Sequence, residues 1–107
     1  MGIFYLTESE LEKDMEDFRQ GNVEPGRVIR CIDDHFSSDS SLPFDPEELN
    51  LPETDRLYTI RDVVDTGYGV GIRLKEVKNK KYYFSNINQY EEPVFGLERF
   101  EPHYEVS

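Results

Sequence analysis

The clearest pattern in the chain is an alternation of apolar and polar residues between Leu57 and Val77. In the second half of this stretch, Val70, Ile72 and Leu74 fall on one face and the residues between them fall on the other. A period of two is typical of a half-buried β-strand. The first half, with the sequence LYTIRDVV, is rich in the β-branched and aromatic residues that favour strands. The stretch therefore predicts a β-hairpin.

Three glycines, Gly67, Gly69 and Gly71, lie in and after the turn of this hairpin. Their spacing superficially suggests a phosphate-binding loop. Such loops connect a strand to a helix, however, and here a second strand follows. Because glycine adopts the positive φ angles that tight reversals need, turn geometry is the better interpretation.

An amphipathic helix is predicted to begin at Thr7 and to end near Gly21. Thr7 and Glu10 have the spacing of a capping box, and Leu6 and Leu11 have the spacing of a hydrophobic staple. The helix has one apolar stripe, with residues at i, i+4 and i+7, and this stripe must dock on another element. Its members are Leu11, Met15 and Phe18.

The other elements are shorter and are separated by turn residues. In chain order we predict a first strand (27–32), a long loop (33–55), the hairpin, a basic turn (78–81), an aromatic strand (82–84), a polar loop (86–92), a last strand (93–96) and a helical turn (97–100). Within the long loop, Asp45-Pro46-Glu47-Glu48-Leu49 is typical of a helical turn. Four apolar residues are expected to hold that loop in place: Leu42, Phe44, Leu49 and Leu51.

These elements predict a mainly β, α+β protein: a small SH3-like five-stranded barrel with an N-terminal amphipathic helix and a long acidic loop after the first strand. The length of 107 residues favours a single domain, with residues 1–24 as a helical extension and 25–107 as the barrel.

Four segments carry a family resemblance: Val28–Asp34 (VIRCIDD), Leu57–Asp62 (LYTIRD), Gly71–Leu74 (GIRL) and Phe95–Pro102 (FGLERFEP). Together they resemble small uncharacterised proteins of phages and their bacterial hosts, which follow a pattern of VxCIDD, YTVRD, GLxLEE and FxxxRFRP. The resemblance spans Arg27 to Pro102 and implies the barrel fold but no activity. The chain departs from the pattern at Glu101, where arginine is usual, and in its long acidic loop.

The composition narrows the class of protein further. The net charge is −11, which repels phosphates and disfavours direct nucleic-acid binding. Cys31 is the single cysteine, so no intrachain disulfide is expected, and its apolar neighbours favour a buried thiol. The sequence shows neither a secretory signal nor an apolar stretch long enough to span a membrane. A cytoplasmic location without membrane contact is therefore the expectation.

The acidic residues are concentrated in two intervals. Seven lie between residues 8 and 24 and nine between residues 33 and 62, each against two basic residues. Such surfaces suit a basic protein partner, although a solvated acidic face is the simpler interpretation. We hypothesise a non-catalytic binding module that acts as a phage-type inhibitor of a basic nucleic-acid-handling host protein. The proposed binding residues are Glu8, Glu12, Glu16, Asp17, Asp33, Asp34, Asp45, Glu47 and Glu48.

Other functions remain as alternatives. One is a barrel that binds or sequesters a small molecule, and another is an accessory structural protein of a phage or mobile element. A third is an aromatic cage for methylated cations built from Tyr58, Tyr68, Tyr82 or Phe95.

The few candidate nucleophiles, bases and metal ligands in the chain disfavour enzymatic chemistry. Cys31 and His35 lie four residues apart, a spacing that does not by itself form a catalytic dyad. A metal site is conceivable only from Asp33, Asp34, His35 and Asp39, whose spacing matches no known metal loop. We therefore predict no catalytic residues, no metal and no cofactor.

Overall fold

The computed structural model describes residues 7–36, 43–67 and 69–104. Leu6, Asp39, Leu42 and Tyr68, which entered the sequence predictions, lie outside these ranges. Two 3₁₀ turns, at Pro46–Glu48 and Leu97–Arg99, interrupt the connections between strands. The other elements are α1 (Glu8–Arg19), β1 (Val28–Cys31), β2 (Leu57–Asp65), β3 (Val70–Leu74), β4 (Tyr82–Phe84), β5 (Gln89–Glu91), β6 (Phe95–Gly96) and β7 (Phe100–Pro102).

The described residues form an α+β architecture with one α-helix. Five strands make one antiparallel sheet in the order β6-β3-β2-β1-β7, and β4 pairs with β5 in a separate two-stranded sheet. Within the described ranges no pairing is seen between the edge strands β6 and β7, so closure into a barrel is not observed.

The long strand β2 connects the two halves of the larger sheet. Its first half pairs with β1, where Tyr58 lies opposite Ile29, and its second half pairs with β3, where Val63 lies opposite Ile72. The register shifts between Ile60 and Asp62. A bulge of this kind bends a strand and increases its twist, which allows one strand to serve both halves.

A single cluster of apolar side chains fills the space enclosed by this bent sheet, the helix and the second 3₁₀ turn. The buried thiol of Cys31 belongs to it, and burial raises the pKa of that thiol. The cluster comprises Phe18, Ile29, Cys31, Tyr58, Ile60, Ile72, Leu74, Val77, Phe95, Leu97 and Phe100.

The helix confirms the capping prediction. The Thr7 hydroxyl accepts a hydrogen bond from the Glu10 amide at 3.2 Å, and the Glu10 carboxylate accepts one from the Thr7 amide at 3.4 Å. Phe18 is the buried member of the apolar stripe, and fully burying such a ring stabilises a fold by about 1.5–3 kcal/mol. Gly21 has a φ of +85° just after the last turn, the conformation that commonly ends a helix.

The central hairpin is confirmed as β2 and β3, but the prediction of a half-buried second strand is wrong. Ile72 and Leu74 are buried on one face, yet Gly71 is also buried and the Arg73 side chain is only 13 % exposed on the other. The second face is covered because Val94 packs over Gly71 and Glu92 binds Arg73.

The C-terminal half contains more strands than the sequence predicts. Residues 89–91 lie within the predicted polar loop, but they form β5 opposite β4, with Tyr83 facing Tyr90. The predicted last strand is β6, and it is followed by β7, which pairs with β1. Both added strands have only three residues and few apolar side chains, so their sequences carry little strand signal.

The long loop is held against the sheet by two of its predicted apolar residues. The ring of Phe44 lies 5.0 Å from that of Tyr82 and 6.1 Å from that of Phe84. Leu51 packs against the core, and the predicted helical turn is present as the first 3₁₀ turn. Across the described ranges, no helix has the length and apolar character needed to cross a membrane.

Candidate partner-binding surface

The acidic face of α1 points away from the core. Glu8, Glu12 and Glu16 are exposed, and Asp17 is half-buried. Glu16 accepts a hydrogen bond from the Gln20 side chain at 2.9 Å. None of these four carboxylates forms an ion pair with a described residue. Their charges are therefore available to a partner.

Asp33 and Asp34, which follow β1 after Ile32, form hydrogen bonds that stabilise the long loop. Asp33 accepts a hydrogen bond from the His35 amide at 2.9 Å and lies 3.5 Å from the Arg99 guanidinium. The hydrogen bond from the His35 amide, followed by the hydrogen bond with the His35 ring and the charge of Arg99, lowers the pKa of the Asp33 carboxyl. Asp34 accepts a hydrogen bond from the Thr54 amide at 3.2 Å. These two carboxylates therefore shape the start and end of the long loop.

The remaining predicted binding residues, Asp45, Glu47 and Glu48, are exposed on the first 3₁₀ turn. Asp45 accepts a hydrogen bond from the Glu47 amide at 3.1 Å, which shapes the start of the turn. The adjoining Phe44 packs on the β4–β5 hairpin, and Asn50 bonds the Lys78 carbonyl at 2.8 Å. This acidic turn therefore lies beside lysines, whereas the acidic helix packs against β7.

A cleft that the sequence did not predict opens beside the acidic helix. It has a volume of 510 Å³, and Arg19, Glu98 and Glu101 stand among the charged residues at its wall. Ile32, 43 % exposed, forms part of its apolar lining. The apolar lining side chains come from positions spread along the whole chain, so no local sequence pattern predicts the cleft: Met15, Phe18, Ile32, Val70, Leu97, Phe100 and Pro102.

Asp14, Arg27 and Tyr104 form a satisfied polar cluster that anchors α1. Arg27 donates to Asp14 at 3.2 Å through Nη1 and also through Nη2, and its guanidinium lies 5.5 Å from the centre of the Phe18 ring. Tyr104 donates to the same carboxylate. The hydrogen bond from Arg27 lowers the pKa of Asp14, while burial and then the bond to Asp14 raise the pKa of Tyr104 to about 12. The shallow depression of 890 Å³ around this cluster is polar and wide.

A second charged cluster anchors the β4–β5 hairpin to the main sheet. Glu92 accepts hydrogen bonds from Arg61 at 2.5 Å and from the Asn79 amide at 3.2 Å, while Arg73 donates to the Glu92 carbonyl at 2.8 Å. Burial opposes ionisation of Glu92, but the bonds from Arg61 and Asn79 outweigh it and lower the pKa of the carboxyl. Both arginines are committed to this structural role.

The alternative sites considered from sequence are not assembled in the described residues. The Cys31 thiol is buried beside the Asp33 carbonyl, whereas the His35 side chain is 94 % exposed. No group of three or more potential ligands is arranged to hold a metal within the described ranges. Tyr58 and Phe95 belong to the core and Tyr82 packs on Phe44, so these three rings do not converge on a cage.

Comparisons with known proteins add no relative: no protein-family model, curated protein or solved structure gives a significant match to this chain.

Proposed function

We propose that this protein is a non-catalytic, acidic protein-binding module whose binding surface is the face of α1 together with the adjoining cleft. The observation that carries the proposal is a 510 Å³ cleft lined by Met15 and Phe18 of α1, a helix whose carboxylates Glu8, Glu12 and Glu16 are exposed and have no cationic partner within the described ranges. An apolar centre with a charged rim is the usual anatomy of a protein-binding site.

The chemistry of this surface defines the partner. Apolar side chains of the partner would enter the cleft beside Ile32, and lysine or arginine side chains would approach Glu12 and Glu16. A basic amphipathic segment satisfies both requirements. Proteins that handle DNA or RNA carry such basic surfaces, so inhibition of one of them, as in phage-type inhibitors of host factors, is the role that we favour in the cytoplasm.

The fold is part of the same proposal. The bend of β2 and the sheet order β6-β3-β2-β1-β7 support an SH3-like barrel in which β6 and β7 approach each other. The resemblance to small phage and bacterial proteins is proposed on the same segments. Glu101, the departure from their pattern, accepts a hydrogen bond from Arg30 at 2.8 Å across the β1–β7 pair.

The test uses a synthetic amphipathic peptide with a leucine stripe and a lysine face, titrated into the full chain by calorimetry. Rim charge pairs contribute about 0.2–1 kcal/mol each, so Glu12→Gln/Glu16→Gln should weaken binding by roughly two- to thirtyfold. Ile32→Ser should also weaken peptide binding, because it removes an apolar side chain from the lining of the cleft. Leu57→Ser is the matched control, because Leu57 is similarly exposed, at 46 %, and does not line the cleft.

The salt dependence separates electrostatic from apolar binding. Affinity of the wild-type chain should fall steeply between low and high ionic strength, since exposed charges are screened. Absence of binding at low ionic strength, or equal losses in Ile32→Ser and Leu57→Ser, contradicts the proposal.

A small-molecule-binding function is the second candidate, and the cleft volume favours it, because ligand pockets typically span about 300–1,000 Å³. An apolar fluorescent probe would then bind with little dependence on salt concentration. Its binding would be lost in the Ile32→Ser variant. If the probe binds and the basic peptide does not, the small-molecule function replaces the protein-binding one.

A further inference from the structure

The β4–β5 hairpin presents two tyrosine rings on one exposed face. Tyr83 and Tyr90 lie opposite each other on the two strands, with ring centres 5.2 Å apart and ring planes inclined by 56°. The two residues are 42 % and 66 % exposed. Apart from their contact with each other, these rings are aromatic surface that the fold does not cover.

The other face of the same hairpin is occupied. Phe44 packs on Tyr82 with ring centres 5.0 Å apart, and the Lys80 ammonium lies 5.0 Å from the centre of the Tyr82 ring. Since side chains alternate between the two faces of a strand, Tyr83 points away from these contacts. Within the described ranges, no lysine or arginine lies over the ring of Tyr83 or Tyr90.

The hairpin is also the longest part of the chain without charge. The nine residues from Tyr82 to Tyr90 contain no acidic or basic side chain, whereas charged residues make up 33 % of the whole sequence. The hairpin supplies neutral hydrogen-bonding groups instead, and the side chains of Asn88 and Gln89 are exposed. The Tyr83 hydroxyl donates a hydrogen bond to the carboxamide oxygen of Asn88, which holds a group with two amide hydrogens beside the ring.

We propose that this face of the hairpin binds a neutral oligosaccharide of pyranose sugars. We call the face the tyrosine platform and define it by Tyr83, Asn88 and Tyr90. The C–H face of a sugar ring is apolar and packs on an aromatic ring, while the sugar hydroxyls exchange hydrogen bonds with polar groups at the ring edge. The two tyrosines offer adjoining ring faces, and Asn88 with the tyrosine hydroxyls supplies donors and acceptors beside them.

Charge argues against nucleic acids, which also stack on exposed aromatic rings. Stacked bases bring phosphates, and sites that bind them place cations along the backbone. The net charge of −11 repels such a polyanion, and no cation contacts the two exposed rings within the described part of the chain. A neutral sugar needs no cation.

Ring geometry and area argue against a protein partner. Proline-rich segments dock in grooves lined by aromatic side chains, but Tyr83 and Tyr90 pack on each other and leave no groove between them. Covering both rings completely would bury roughly 160–270 Å², given their exposed fractions and about 150–250 Å² per aromatic side chain. A stable protein–protein interface needs about 800 Å² per partner. The platform therefore suits a small ligand, and this inference goes beyond the proposed function, whose surface lies on α1.

Titration of the isotope-labelled full chain with cellohexaose, maltohexaose and N-acetylchitohexaose, followed by amide NMR spectra, tests the proposal. At least one of these neutral sugars should shift the signals of residues 82–90, with little dependence on ionic strength. Tyr90→Ala should weaken binding roughly tenfold or more, because it removes the more exposed ring, whereas Tyr90→Phe should retain most of the affinity. Leu57→Ala is the matched control and should bind as the wild type does, because Leu57 is 46 % exposed but lies on β2.

Asn88→Asp tests the polar part of the platform. Asn88 has a φ of +53°, which aspartate also tolerates, and aspartate still accepts from Tyr83 but has no amide hydrogens to donate. The variant should weaken sugar binding while the amide signals outside the hairpin stay in place, which shows that the fold is intact.

The outcomes separate this proposal from the proposed function. Tyr90→Ala should leave binding of the basic peptide at the cleft unchanged, so either proposal can fail alone. The tyrosine platform is overturned if none of the three sugars shifts the hairpin signals at millimolar concentration, or if Tyr90→Ala binds as tightly as the wild type. Binding of decaproline or of a single-stranded oligonucleotide to the hairpin, without sugar binding, would also overturn it.

Discussion

Arg27 and Asp14 join the N-terminal helix to the sheet through two hydrogen bonds between one guanidinium and one carboxylate. Both side chains are less than one third exposed. The pair lies thirteen residues apart in sequence and positions α1 so that Phe18 reaches the core. The orientation of the acidic face and the walls of the cleft both depend on this junction.

Asp14→Asn is expected to destabilise the fold by about 1–3 kcal/mol, because it leaves a half-buried guanidinium without its charged acceptor. Urea denaturation measures the free energy of unfolding. Glu12→Gln is the control, since Glu12 is exposed and has no ion-pair partner in the described part of the chain, and it should change stability by less than about 0.5 kcal/mol. Equal effects in the two variants would show that the junction contributes nothing.

Acidification should destabilise the protein by protonating the carboxylates of Asp14 and Glu92. The pKa values of Asp14 and Glu92 are lowered in the folded state from ordinary values of 3.8 and 4.5. A lowered folded-state pKa contributes stability above the unfolded-state value, and that contribution is lost as pH falls through the folded-state value. The free energy of unfolding should therefore decline below about pH 4.5. Glu92→Gln should flatten this decline, and an unchanged slope contradicts the assignment.

Gly71 and Gly96 face each other between β3 and β6, and they should respond differently to alanine. A Cβ at Gly71 would lie 2.5 Å from a methyl group of Val94, while one at Gly96 would meet the mobile end of the Glu98 side chain. Gly71→Ala should cost about 1–3 kcal/mol because buried overpacking forces a shift. Gly96→Ala is the matched control and should cost much less by thermal denaturation. The reverse order would contradict the packing described for this strand pair.

Arg99 holds the start of the long loop through its planar side chain. Its guanidinium lies 4.2 Å from the centre of the Phe36 ring and donates to the His35 carbonyl at 2.7 Å. Arg99→Lys should lower the free energy of unfolding by about 1 kcal/mol, since lysine reproduces neither the stacking nor the fork of donors. Arg56→Lys changes an exposed ion pair with Glu53 and should be nearly neutral in the same measurement.

The sequence predicts the helix and the central hairpin because their signals are local. Thr7 and Glu10 are three residues apart, and the apolar alternation of β3 occupies five consecutive residues. By contrast, β5 has the sequence QYE and becomes a strand only because β4 lies beside it. The burial of Arg73 likewise depends on Glu92, nineteen residues away, which no periodicity within β3 reveals.

The acidic residues show the same division. Composition and periodicity place the carboxylates on the helix and in the loop, but they leave open which of them share a surface. The structure separates the helix, which packs against β7, from the 3₁₀ turn, which Phe44 holds beside the β4–β5 hairpin.

The sequence by itself determined the capped amphipathic helix, the central hairpin and the excess of acidic charge, because each arises from neighbouring residues. The tertiary structure alone decided where the cleft opens and which charged side chains pair with each other. Those properties arise from contacts between residues as distant as Asp14 and Tyr104, and only the packing of the whole chain brings such residues together.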